Sequence, residues 1–263
     1  MTADVLSPAL GAFYYEIDGS NRMKFHEYRG ENIDLYGDRT VAFRRVSFAN
    51  SIVFSDRSLA PEELFLVEID RNENGWSGHM RVGLTQVNPD EHPALPMYAL
   101  PDLNMLGQSW IFAITRRKNL FYDGINGELT MPIIGRTAMM QQQDNCHKLP
   151  TDVGSRIGVY YRISADGHRA EMHLVVNGED QGASSASIPF GDRPLYAVVD
   201  VYGTTKQIKL VQLIRTARPL QDLCRERILH CVDSVGCLDC LPIPDQLKTY
   251  LKHGVHCSIA REP

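Results

Sequence analysis

Cys237, Cys240, His253 and Cys257 follow one another as C-x2-C-x12-H-x3-C, a spacing that lets two pairs of soft ligands close a tetrahedron around zinc. A finger of that kind needs an aromatic residue between its second cysteine and its histidine to build a small core. Pro244 and its neighbours occupy the expected place. A two-metal cross-brace would need several C-x2-C pairs, and this tail has one. The expectation is therefore no metal and no cofactor.

Elsewhere the chemistry-bearing residues are scattered. His26, His79, His92, His147, His168 and His173 lie in separate runs, without an H-E-x-x-H pair, a G-x-S-x-G elbow or a phosphate-binding glycine loop. Cys146 and His147 are adjacent, which does not read as a nucleophile with its base. The glycines of Asn177-Gly178-Glu179-Asp180-Gln181-Gly182 belong to a hairpin, since no helix follows to receive a phosphate. No acid, base or nucleophile is set up for catalysis, so the expected role is non-catalytic binding. In a β domain, recognition surfaces lie on the loops.

Composition narrows the classes further. The chain has 263 residues, 43% of them hydrophobic, enough for one large domain with a small appendage. The formal net charge is −5 and no lysine or arginine run occurs, so a nucleic-acid footprint is not expected. Five of the six cysteines lie after residue 220, whereas a disulfide-stapled secreted domain would spread them. Reduced thiols and a cytoplasmic setting follow. Residues 1–21 carry Asp4 and Pro8 and no basic start, so we expect an N-terminal tail without signal peptide or membrane insertion.

The body, 22–214, must be built from strands. Short apolar or alternating runs recur, at 32–36, 40–46, 51–54, 64–69, 79–85, 109–115, 156–163, 171–176, 196–201 and 207–213, with no long helical period between them. Ala165-Asp166-Gly167 and Asn177-Gly178 are hairpin signals, because these residues accept positive φ. Gly78 and Gly83, inside strand patterns, imply bulges or close backbone approach. Residues 119–152 lack a steady period and read as an excursion. Mainly β, an antiparallel two-sheet sandwich, is the expected fold. Asp200 and Arg81 are charges in apolar runs, so we expect each to be paired.

Several ordered motifs carry a resemblance. Phe25-His26, Ser47-Phe48, Trp76-x-Gly78-His79, Arg81-x-Gly83-Leu84-Thr85, Leu100-Pro101-Asp102-Leu103, Trp110, Val176-Asn177-Gly178 and the run Tyr196 to Gly203 are similar to a neuralized homology repeat, a relative of the SPRY sandwich. The resemblance implies a substrate-binding domain. Trp76, Arg81 and Tyr202, beside turns, are the candidate substrate contacts.

In the tail, Leu220, Leu223, Cys224, Ile228, Cys231 and Val235 fall on one helical stripe, with Asp222, Arg225 and Glu226 on a wet face. Pro219 suits a first turn, and Gly236 a left-handed helix end. Leu241-Pro242-Ile243-Pro244 then forms an elbow into a short helix bearing Leu247, Tyr250 and Leu251. Residues 215–252 resemble a small α-helical SOCS box, with 253–263 a C-terminal tail. The resemblance implies elongin B and elongin C bound through Leu220, Leu223, Cys224 and Ile228. It implies a cullin, of the cullin-5 kind with its RING protein, bound through Leu241, Pro242, Ile243, Pro244, Leu247 and Tyr250. On this reading the chain is a substrate-recognition adaptor of a ubiquitin ligase, holding an intracellular target of the membrane- or cytoskeleton-associated kind. The alternative is a SPRY-like scaffold whose helical tail merely caps it.

Overall fold

A computed structural model describes residues 14–16, 22–116, 120–122, 129–130, 148–164, 167–191, 193–215, 224–225, 228 and 235–253. The chain divides into two compact units, Met1–Arg215 and Thr216–Pro263.

In the first unit the strands are β1 (Tyr14–Glu16), β2 (Ile33–Tyr36), β3 (Val41–Arg44), β4 (Ile52–Phe54), β5 (Phe65–Asn72), β6 (Arg81–Thr85), β7 (Ser109–Ala113) and β8 (Leu120–Tyr122). They continue as β9 (Leu129–Thr130), β10 (Arg156–Ile163), β11 (Arg169–Val176), β12 (Glu179–Pro189), β13 (Tyr196–Asp200), β14 (Thr205–Leu210) and β15 (Leu213–Arg215). A seven-stranded sheet runs β12-β11-β10-β5-β14-β3-β2, and a six-stranded sheet runs β4-β13-β6-β7-β8-β9. Neighbours such as β6 and β13, or β5 and β10, pair antiparallel. A further ladder joins β1 to β15, so part of the expected N-terminal tail is hydrogen-bonded into this unit.

Alternation along the strands decides which side chains face the other sheet. On β5, Phe65, Val67 and Ile69 enter the central core, where they meet Val82 and Leu84 of β6 and Ala197 and Val199 of β13. The intervening Glu68 pairs instead with Arg156 at 3.0 Å and Lys209 at 2.9 Å. The other face of the six-stranded sheet is also covered. Ile52, Phe54, Ile111 and Val198 pack with Ala99, Leu100 and Leu103 from the β6–β7 connection.

Two local features follow directly from residue type. Asn177 (φ 50°) and Gly178 (φ 87°) both adopt positive φ and join β11 to β12 as a two-residue hairpin. Gly83, between β13 and β7, is a close approach: a Cβ there would lie 2.0 Å from the Trp110 carbonyl oxygen.

Strand β12 was not expected from the sequence. Its residues, EDQGASSASIP, lack apolar alternation because it is an edge strand, and among its described side chains only Ile188 reaches the central core. Strands β8 and β9 lie in the segment read as an excursion and extend the six-stranded sheet; residues 131–147 of that segment, Cys146 and His147 included, lie outside the described residues. Ala165 and Asp166 of the first hairpin signal lie outside them too.

In the second unit, residues 224, 225 and 228 are helical, Val235–Cys240 is a 3-10 helix and Asp245–His253 an α-helix. Gly236 therefore sits inside a tight turn rather than at a left-handed helix end, and Leu238 in that turn is fully buried. The Pro244 carbonyl accepts the amides of Leu247 (3.0 Å) and Lys248 (3.2 Å), so the helix begins where the proline run stops.

Candidate functional site

Sequence reasoning singled out Trp76, Arg81 and Tyr202, and the fold brings all three together around Phe48 at one end of the sandwich. Phe48 follows β3, Trp76 lies between β5 and β6, Tyr98 between β6 and β7, and Tyr202 between β13 and β14. The Phe48 ring meets Trp76 edge-on at 5.0 Å and Tyr202 edge-on at 4.9 Å, and Tyr98 stacks against it at 6.0 Å. Tyr98 and Tyr202 are themselves in edge contact at 6.1 Å. These separations lie in the range in which aromatic pairs attract beyond simple area burial. Trp76 remains 38% exposed, and Val46 and Met97 stand open beside the cluster in sequence.

Charged groups beneath the rings hold the loops in place. The guanidinium of Arg81 lies over Tyr202, 3.6 Å from the ring centroid, and its Nη1 donates to Leu100 O (2.9 Å) and Asp200 Oδ2 (3.2 Å). Asp200, fully buried, also accepts the Ala99 amide at 3.0 Å and the Ser51 hydroxyl at 2.9 Å. Burial pushes the Asp200 carboxyl up, opposed by Arg81, the Ala99 N–H and Ser51. The pairing expected for these two charges is thus with each other.

Sequence reasoning missed Arg44, Glu73 and Lys206. Arg44 ends β3 fully buried and donates to Gly203 O (2.7 Å), Thr205 O (3.2 Å) and Val46 O (3.1 Å), fastening the end of β3 to the β13–β14 turn. Glu73 accepts from Trp76 Nε1 (2.9 Å) and Lys206 (2.9 Å), with Arg44 at 3.5 Å. These contacts, Lys206 first, hold its carboxyl below the usual range. The β5–β6 and β13–β14 loops also press together, since a Cβ on Gly203 would lie 2.3 Å from the Gly78 carbonyl oxygen. A charged residue ending a strand leaves no sequence signal for burial; the turn-flanked aromatics were the legible part.

Histidines elsewhere serve packing and hydrogen bonding. His26 Nδ1 accepts the Tyr28 amide (2.9 Å), which leaves Nε2 to donate to Asp90 (3.0 Å). His173 stacks on Tyr160 at 4.6 Å, and both reach Asp180. Among the described residues no group of three His, Cys, Asp or Glu could hold a metal, and no helix is long and apolar enough to cross a membrane.

The second unit has its own polarity. Leu238, Tyr250 and Leu251 are buried, whereas Leu247 is 46% exposed and Cys224 and Ile228, four residues apart, are exposed. Leu241 and Ile243 are half-buried and Pro242 and Pro244 exposed. Leu220, Leu223 and Cys257 lie outside the described residues. Arg225, expected on the wet face, is half-buried against the C-terminal helix.

An antiparallel β-sandwich with aromatic loops at one end, followed in the chain by a small helical unit, defines a β-sandwich protein with a C-terminal helical box. The chain belongs to the Neuralized family: the family profile "Neuralized" matches residues 25–212, and "SOCS box" matches 216–252. It is 37% identical to Neuralized-like protein 2 of Mus musculus over 88% of this chain and 91% of that protein. It is 29% identical to the Homo sapiens protein named E3 ubiquitin-protein ligase NEURL3, over 72% of this chain and 59% of that one. The Drosophila melanogaster neuralized NHR1 domain has the same fold, with a TM-score of 0.53 at 23% identity, covering 73% of this chain and 98% of that domain.

Proposed function

We propose that this protein is a cytoplasmic substrate receptor of an elongin B/elongin C/cullin-RING ubiquitin ligase, with cullin-5 as the cullin. Residues 22–214 take the target and residues 215–252 dock the ligase. The aromatic end around Phe48, Trp76, Tyr98 and Tyr202 is the target-binding face. One observation carries this: a SOCS box whose Cys224 and Ile228 face outward while Leu238, Tyr250 and Leu251 fill its interior, in the same chain as that aromatic end. A helix with exposed residues at four-residue spacing is the form in which an amphipathic segment enters a partner's groove. The chain supplies proximity rather than an acid, base or nucleophile, raising the local concentration of target lysines near the charged ubiquitin conjugate. Transfer itself falls to the recruited RING protein and its conjugating enzyme.

The test is co-expression of residues 1–263 with elongin B and elongin C, followed by size-exclusion chromatography with light scattering. A stoichiometric ternary complex is expected. A monomeric chain eluting apart from free elongins would overturn the receptor role and leave a scaffold in its place.

A further inference from the structure

Arg225 sits one residue after Cys224, on the segment proposed to enter elongin. Its Nε donates to the carbonyl oxygens of Tyr250 and Leu251, at 3.1 Å each. Its guanidinium carbon also lies 6.0 Å from the centroid of the Tyr250 ring. Those two carbonyls belong to the C-terminal part of the helix Asp245–His253. A cation at a helix C-terminus satisfies such carbonyls and complements the negative end of the helix dipole.

The consequence is geometric. Among the described residues, the Arg225 side chain ties the segment bearing Cys224 and Ile228 to the helix that presents Leu247. The proline elbow at Pro242 and Pro244 lies between these helices and is partly exposed, and it offers few backbone hydrogen bonds. At the other end of the C-terminal helix, Lys248 donates to Asp239 O at 3.0 Å and ties the helix start to the 3-10 turn. Between them, Arg225 and Lys248 fix the helix at both its ends.

We propose that Arg225 is a positioning residue that sets the cullin-facing helix relative to the elongin-facing one, so that cullin is captured only by a box whose two halves are held in register. This rests on the receptor function above. Arg225 need not touch either partner to have this effect. Losing a charge-assisted bond pair of this kind costs enough to lower a coupled affinity about tenfold or more.

The experiment uses the full chain as Arg225→Ala and Arg225→Lys. Binding of purified elongin B–elongin C is measured first, and then capture of the cullin-5 N-terminal region by the ternary complex. The expected result for the alanine variant is elongin affinity within about threefold of the unsubstituted chain and cullin capture down about tenfold or more. Lysine can still offer one charged donor, so its cullin capture should be intermediate. Undiminished cullin capture by the alanine variant overturns the proposal. So does parallel loss of both partners in both variants. If only the alanine variant loses both partners, anything other than retained elongin with reduced cullin in the lysine variant also overturns it. An unsubstituted chain that binds no elongin instead refutes the receptor function, a separate result.

Discussion

Arg81 is shared between a buried carboxylate and an exposed-side ring: its guanidinium lies 3.6 Å from the centroid of Tyr202 while its Nη1 donates to Asp200 at 3.2 Å. The ring belongs to the candidate recognition face and the carboxylate to the covered face of the six-stranded sheet. Stability and recognition therefore meet in one side chain, and separating them requires variants on either side of it.

On the buried side, Asp200→Ala removes the carboxylate that pairs with Arg81 and accepts the Ala99 amide, and should cost about 3–5 kcal/mol of unfolding free energy. Asp200→Asn should cost less. Its carbonyl can still accept from Ala99 and Arg81, and its amide can donate to Ser51, whose hydroxyl then donates to Phe48 O. Urea unfolding of both variants checks the order; equal losses would show that charge, not hydrogen bonding, dominates the site.

On the exposed side, Trp76→Ala should weaken target capture by about 2 kcal/mol or more, as for an interface anchor. Stability should fall by less than about 1.5 kcal/mol, since the ring is 38% exposed and gives up one hydrogen bond to Glu73. Quantitative mass spectrometry of proteins co-purified with each chain, beside a thermal melt, reads both. Unchanged capture would move the recognition face elsewhere on the sandwich.

Gly83→Ala tests the sheet itself. Its new methyl would lie 2.0 Å from the Trp110 carbonyl oxygen, and the neighbour is backbone within a ladder that cannot swing aside. We expect a loss of about 3 kcal/mol or more, seen as a lowered melting temperature. A melt within a degree or two of the unsubstituted chain would contradict the close approach.

Stability should fall in acid. Burial alone would raise the carboxyls of Glu68 and Asp180, but Lys209 and Arg156 around Glu68, and His173, Tyr160 and the Gly182 amide around Asp180, outweigh it and leave both lowered. A carboxylate whose folded pKa lies below its unfolded one binds fewer protons folded than unfolded. Its stabilisation is complete above the unfolded value, about 4, and disappears as pH falls through the folded value. Denaturant midpoints between pH 7 and pH 2 should drop over that limb, and Asp180→Asn should shrink the drop. His79 acts in the same sense, because burial lowers its pKa and favours the neutral ring.

For the box, Leu220→Ala with Cys224→Phe should weaken elongin binding at least about thirtyfold and leave target capture intact. Pro242→Ala with Pro244→Ala should reduce cullin capture while sparing elongin. Pull-downs with each purified partner distinguish the two. Equal loss of both partners in the proline variant would contradict the division of the box.

Much of the fold was legible because β structure writes itself locally. Phe65, Val67 and Ile69 alternate with Leu66, Glu68 and Asp70, and that period alone assigns a strand and its buried face. Asn177-Gly178 announced its hairpin through tolerance of positive φ. Strand β12 left no such trace, since an edge rich in serine and alanine is held by backbone pairing to β11 rather than by side-chain burial. Arg225 was misplaced for a related reason. A helical wheel ranks faces by hydropathy, and it does not register the backbone carbonyls of a second helix 25 and 26 residues further along.

The sequence by itself determined the antiparallel β class, the order of body and box, the proline elbow, and the turn positions of Trp76 and Tyr202. Each depends on neighbours a few residues away. Only the tertiary structure decided that Phe48, Trp76, Tyr98 and Tyr202 share one surface and that Arg44 is fully buried beneath it, bound to Gly203 from 159 residues away. Strand order sets those meetings. Backbone pairing places β13 beside β6 and β14 between β3 and β5, and so carries distant loops to one end of the sandwich.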